Sequence, residues 1–135
     1  ITEAMGAADF ILEATSGWMT PVLFLTVTFL VGAVISFFTG SSWGTYAICI
    51  PLAVPMAYSF TGNQLGLLVY AAVGAVVSGG LFGDHCSPVS DTTVLSSLGS
   101  ACDHIDHVRT QLPYALLAAG VSMVLWVVVA LIGEA

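Results

Sequence analysis

With 135 residues, 58% hydrophobic and only 7% charged, and a mean hydropathy of +1.02, this chain lacks the charge to cover a water-soluble surface, which carries about 25% charged residues. One basic residue, Arg109, stands against eight acids, a net charge of −7, which excludes a polybasic lipid-binding or nucleic-acid-binding patch. An all-α integral membrane protein is the class that remains, and at roughly 20 residues per span its length holds only a handful of spans.

The chain opens Ile1-Thr2-Glu3, without a basic start or a small-residue cleavage site, against a signal peptide. Membrane proteins orient by Lys and Arg in cytoplasmic loops. A single Arg is a thin orientation signal, so residues 1–135 are expected to form one membrane domain that is a piece of a longer chain. Over residues 1–16, Met5, Ala8, Phe10, Ile11 and Leu12 mix with Glu3, Asp9 and Glu13, which describes a short interfacial helix or the tail of a loop. Residues 18–39 carry no charge and form the first span, with Trp18 suited to an interface and Pro21 to a first helical turn. Gly40, Ser41, Ser42, Trp43, Gly44 and Thr45 then interrupt the apolar run. The run resumes over residues 46–60, short of a full span, with Pro51 and Pro55 to kink it. Long helix, break and short kinked helix together read as one discontinuous span.

Residues 61–64 form a polar turn. Residues 65–82 make the next span, rich in Gly, Ala and Ser and so able to pack closely against a neighbour. A polar island follows over 79–97, GGLFGDHCSPVSDTTVLSS, with Asp91 as N-cap of a short helix over 92–99. Residues 100–109 are the most charged segment, and 111–132 form the last span, with Pro113 near its start. The expected architecture is a bundle of four to five transmembrane or half-membrane helices with broken or re-entrant members. The two interruptions, 40–45 and 83–93, each follow an apolar run and precede a shorter one. Paired broken segments at corresponding positions mark binding sites in transporters. Three cysteines, Cys49, Cys86 and Cys102, are an odd number without CxxC spacing and read as packing residues.

Asp84 and Asp91 carry the chemistry of the island. An acid at the centre of a membrane helix costs about 2.5–3.5 kcal/mol on the insertion scale. Either both acids sit in an extramembrane loop at no cost, or they mark a site. The apolar run up to Phe82 and the lack of Lys or Arg around the island favour burial. Desolvation favours a protonated carboxyl and a bound cation favours the ionised one, so a proton and a cation compete for one group. Asp84 and Asp91 are thereby candidate Na⁺ ligands. Ser87, Ser90, Thr92 and Thr93 supply the oxygens that hard cations prefer, together with carbonyls freed around Pro88. His85 either tunes that proton or holds the loop by a hydrogen bond. Ser41, Ser42 and Thr45 either coordinate the cation or satisfy freed backbone groups at the first break. Trp43 reads as a packing residue. Asp103, His104, Asp106 and His107 at helical spacing raise a Zn²⁺ site, and with Asp84 and His85 a membrane-embedded metalloenzyme. The spacing lacks a metal-site signature, and the competing reading is a hydrated interface segment that caps the last helix and pairs Arg109.

FFTGSSWGTY (37–46), FGDHCSPVSDTTVLSS (82–97) and CDHIDHVRTQLPYAL (102–116) resemble, in order and spacing, the C-terminal half of the NhaC-type Na⁺/H⁺ antiporter family, within the ion transporter superfamily. The likeness covers the chain from about Pro21 onward. It implies a multi-pass carrier of the bacterial or archaeal inner membrane, built from inverted repeats and broken helices, that exchanges Na⁺ for H⁺ without a further cofactor. Some relatives exchange organic acids or amino acids with the ions, which is the alternative reading. The resemblance carries Ser41, Ser42, Thr45, Asp84, His85, Ser87, Ser90, Asp91 and Thr92 as site residues. Family members are several times longer, so this chain supplies about one repeat, to be completed by a second copy or a missing N-terminal half in the lipid bilayer.

Overall fold

The computed structural model describes Gly6, Phe10, Ile11, Glu13, Ala14 and residues 17–133. Apart from those five positions, the segment 1–16 expected at the interface or in a loop lies outside the described residues. Five helices are described: α1 Pro21–Thr39, α2 Ser42–Phe60, α3 Leu67–Cys86, α4 Asp91–Gly99 and α5 His104–Gly133. Of these, α1, α3 and α5 are long and apolar enough to cross a membrane. The all-α membrane fold read from composition is the one observed.

Local chemistry sets the helix ends. Pro21 opens α1 behind the cap Thr20, whose hydroxyl accepts from Leu23 N, a position where the missing N–H of proline has no helical role. Gly40 ends α1 in the left-handed region at φ 67° and Ser41 caps α2, so the first break occupies two residues. The polar turn at 61–64 is present, with Gly62 and Asn63 both at positive φ and the Thr61 hydroxyl donating to Gln64 O at 2.6 Å. Asp103 caps α5 by accepting from Ile105 N at 2.9 Å and Asp106 N at 3.1 Å.

The first break does not yield one discontinuous span. Phe60, the last residue of α2, lies 5.5 Å from Phe24 near the start of α1, ring centre to ring centre, so the chain reverses at Gly40–Ser41 into a hairpin. The short run expected at 46–60 is a 19-residue helix that contains Pro51 and Pro55. The extra turn comes from Ser42 to Thr45: Ser41 Oγ accepts from Gly44 N at 3.2 Å, and the Thr45 hydroxyl donates to Ser41 O at 2.9 Å. Polar capping thus extends the helix past the end of its apolar run.

The second break does interrupt a helix that keeps its direction. α5 runs antiparallel to α3, with Trp126 over Gly74 and Gln111 bonded to His85 O at 2.7 Å. The start of α5 runs back along α4, with His104 against Ser97 at 3.1 Å. With one continuous helix antiparallel to both, α3 and α4 point the same way. At 1.5 Å per residue, the 30 residues of α5 reach ~45 Å, enough to flank both pieces. Of the charged segment expected at 100–109, residues 104–109 are therefore the first turn and a half of that helix, and Pro113 lies inside it.

The core is the α1–α3 contact, with α2 against its side. α1 and α3 run parallel and touch backbone to backbone. A Cβ on Gly79 would enter Phe29 O, and one on Gly83 would enter Ala33 O. Ser36 donates to Gly80 O at 2.6 Å across the same seam. This is the small-residue packing expected of α3. Trp43, expected to pack, is 81% exposed in this chain, touching Tyr46 edge-on at 5.9 Å. Gly83→Ala is expected to lower stability by about 3 kcal/mol through overpacking, while Gly120→Ala, with nothing within 4 Å of the added carbon, raises it by up to about 1 kcal/mol. Thermal unfolding of the two variants in detergent checks the contrast.

Candidate functional site

The two breaks meet. A Cβ at Gly40 would lie 2.7 Å from Val89 O, so the α1–α2 turn rests directly on the chain between α3 and α4. Only glycine combines that approach with a positive φ. Ser87 donates across the same junction to Phe37 O at 2.6 Å and accepts from Val89 N at 3.2 Å.

Asp84 sits at this junction in the last turn of α3, 9% exposed. Its Oδ2 accepts from the Ser42 hydroxyl at 2.9 Å and its Oδ1 from the Ser90 hydroxyl at 2.7 Å. Ser42 is the first residue of α2 and Ser90 the cap position of α4. The N-terminal ends of two helices therefore lie against the carboxylate. Ser90 also meets the Thr92 hydroxyl at 2.7 Å. The Ser90 hydrogen goes to Asp84 Oδ1, so Thr92 donates to Ser90. No cationic side chain neutralises Asp84: the chain's one Arg lies exposed beside Asp106 at 4.0 Å.

The other sequence-derived candidates divide. Ser42, Ser87, Ser90 and Thr45 are buried with Asp84, but Ser41 and Thr45 spend their hydroxyls on the α2 backbone, the alternative role given to them above. Asp91 is exposed, contrary to the expectation of burial, and its Oδ1 accepts from Thr92 N at 2.8 Å. It occupies the first turn of α4, not the cap; Ser90 holds the cap position and makes no capping bond because its hydroxyl is on Asp84. Asp84 and Asp91 therefore do not form a buried pair. His85 is exposed and turned from Asp84, because successive residues on a helix point about 100° apart. It lines a cavity of about 70 Å³ with Thr92, Thr93, Ser96, His107 and Gln111.

The charged segment does not assemble a metal site: among the described residues no three His, Cys, Asp or Glu side chains are grouped to hold an ion. Asp103 caps α5, Asp106 pairs with Arg109, His107 lines the cavity, and His104 bonds Ser97 and Pro88 O. The metalloenzyme reading, which needs Asp84, His85, Asp103, His104 and His107 around one ion, is overturned by this dispersal. Sequence reasoning missed Gln111, whose amide holds His85 O at 2.7 Å. The available signal was a lone amide, seven residues after His104 and hence on the same helix face, at the mouth of an apolar run.

Membrane-length helices with two breaks that converge on a buried carboxylate define a helical membrane protein of the broken-helix kind, the build of ion-coupled carriers. More narrowly, the Na⁺/H⁺ antiporter family model matches residues 1–131, and the chain belongs to that family. It is 49% identical over 110 residues to an uncharacterized protein of Haemophilus influenzae, covering 81% of this chain and 20% of that one. It is 37% identical over 109 residues to the malate-2H⁺/Na⁺-lactate antiporter of Bacillus subtilis, 81% of this chain and 22% of that one. With the Na⁺/H⁺ antiporter NhaC of Alkalihalophilus pseudofirmus it shares 37% identity over 91 residues, 67% of this chain and 19% of that one. The chain spans about a fifth of the length of these curated relatives. No solved structure matches it.

Ser42→Ala and Ser90→Ala each remove one of two donors to the same buried carboxylate, an expected loss of about 1–3 kcal/mol apiece. In an Asp84→Asn background each loss shrinks, since the charge to be satisfied is gone. Double-mutant cycles on detergent unfolding measure the difference.

Proposed function

We propose that this chain is the ion-binding part of a secondary carrier that exchanges Na⁺ for H⁺ at Asp84. The observation that carries the reading is a buried carboxylate whose protein partners are two neutral hydroxyls and no cation. Such a group is costly in low dielectric unless a proton or a cation joins it. Na⁺ bound to an Asp84 oxygen would take lone pairs from Ser42 and Ser90, with Ser87 and Thr92 beside them. A proton replaces it when the carboxyl is neutral. Asp91, exposed as the first residue of α4, would act at the mouth of the site. The family membership supports the same exchange.

The remainder of the carrier, a missing half or a second copy, would cover the apolar surface that α5 leaves open: Leu117, Val124 and Leu125 are 72%, 64% and 57% exposed. The assembled protein would be a multi-pass component of the cell's inner membrane, with lipid, Na⁺ and H⁺ as its partners, no resident cofactor and no enzymatic step.

A second reading, ion-coupled exchange of small organic acids or amino acids, is favoured by the likeness to a malate/lactate antiporter. Arg109 is a poor carboxylate clamp for it, 76% exposed and beside Asp106.

The test is exchange in proteoliposomes that hold the full-length carrier. Asp84→Asn is expected to abolish Na⁺-driven H⁺ flux, and Asp91→Asn to leave a reduced flux. The Na⁺ concentration for half-maximal rate should rise as pH falls, because both ions need one carboxylate. Undiminished flux in Asp84→Asn ends the proposal. Labelled malate, lactate or arginine moving in exchange for Na⁺ would establish the second reading.

A further inference from the structure

We infer that His104 is a positioning residue for ion binding: it holds the α3–α4 break in the conformation that aims Ser90 at Asp84. The inference rests on the reading of Asp84 as the exchange carboxylate.

The break runs from Ser87 to Ser90 and is held from two sides. On the α1 side, Ser87 is bonded to Phe37 O and Val89 O is packed on Gly40. On the α5 side a single side chain reaches the backbone of the break. His104 Nε2 lies 2.8 Å from Pro88 O, and its Nδ1 lies 3.1 Å from the Ser97 hydroxyl. A carbonyl only accepts, so Nε2 carries the hydrogen and donates it to Pro88 O. Proline has no N–H, which leaves that carbonyl as the one backbone group at position 88 by which the break can be tied. Ser97, toward the far end of α4, shares its one hydroxyl hydrogen between Val94 O at 2.8 Å and His104 Nδ1, and so braces the other edge of the ring.

Gln111 lies two turns further along the same face of α5 and holds His85 O at 2.7 Å. α5 thus grips the chain at residues 85 and 88, between Asp84 and Ser90, and bonds neither of those two. The Ser90–Asp84 bond, 2.7 Å long, depends on where the intervening backbone is placed. Releasing Pro88 lets that backbone turn and carries Ser90 off the carboxylate. The loss falls on the ion-bound state, which needs the Ser90 oxygen, and not on the steps that follow binding.

The experiment measures Na⁺-driven H⁺ flux by the full-length carrier in proteoliposomes, with Na⁺ concentration varied. His104→Phe keeps an aromatic ring at this position and removes both hydrogen bonds. It is expected to raise half-saturating Na⁺ roughly fivefold, the worth of one hydrogen bond, with the maximal rate within about twofold of the parent. His104→Gln, whose amide N–H reaches Pro88 O, is expected to restore most of the affinity. In a Ser90→Ala background His104→Phe should add nothing further. An unchanged half-saturation in folded His104→Phe, or no rescue by Gln, overturns the inference. If His104→Phe does not fold, Ser97→Ala, which frees one edge of the ring, should raise half-saturation about twofold, and no change overturns it equally. Asp84→Asn is assayed in parallel: retained flux there refutes the site itself, whereas flux lost in Asp84→Asn with an unaffected His104→Phe refutes only the role of His104.

Discussion

A carboxylate removed from water must be met by donors, a cation or a proton, and the arrangement of this chain follows from meeting that demand at Asp84. Its two oxygens take hydroxyls from Ser42 and Ser90, which belong to different helices and are brought together only because both helices begin at the same spot. A regular helix through either break would carry those hydroxyls away along its own axis. The interruptions are therefore what create the site. The glycines at 40, 79 and 83 are what let the interrupted pieces approach.

Breaking a helix within a membrane frees backbone groups that lipid cannot satisfy, and the chain supplies partners of its own. Ser87 N returns to Asp84 O and Ser90 N to Ser87 O. The carbonyls of Phe37, His85 and Pro88 are taken by Ser87, Gln111 and His104. Most of these partners come from across the fold, so the break is a tertiary structure held open by its neighbours, with α5 as a continuous splint along both halves of the interrupted helix. The donors that satisfy the backbone and those that face Asp84 are of the same residue type, which is why serines and threonines crowd this region and divide between two tasks.

Much of this was legible beforehand, for reasons that are local. Apolar runs show themselves in sequence, so α1, α3 and the long part of α5 were placed within a few residues, and Pro21 marked a helix start by its own covalent geometry. Asp84 stood out because an acid flanked by apolar residues has few reasons to be there. The direction of the chain after Gly40 was not legible: a glycine-serine break is compatible with a continuing helix or a reversal, and the contact of Phe60 with Phe24 that selects reversal joins residues 36 positions apart. Nor was the division between the acids. Asp84 and Asp91 lie in similar company in the sequence, yet one faces the α1–α2 turn and the other faces outward from α4.

By itself, then, the order of residues determined the class of protein, the spans, the places where helices stop and the chemical character of the island, all of which depend on hydropathy and on backbone preferences within a few residues. The tertiary structure alone decided which serines reach Asp84, that Asp91 lies outside the buried pocket, and that His104 and Gln111 tie the break to α5. Each of those depends on the distance between groups far apart along the chain. Such distances are set by how closely α1, α3 and α5 pack, a collective property of three helices that no single segment carries.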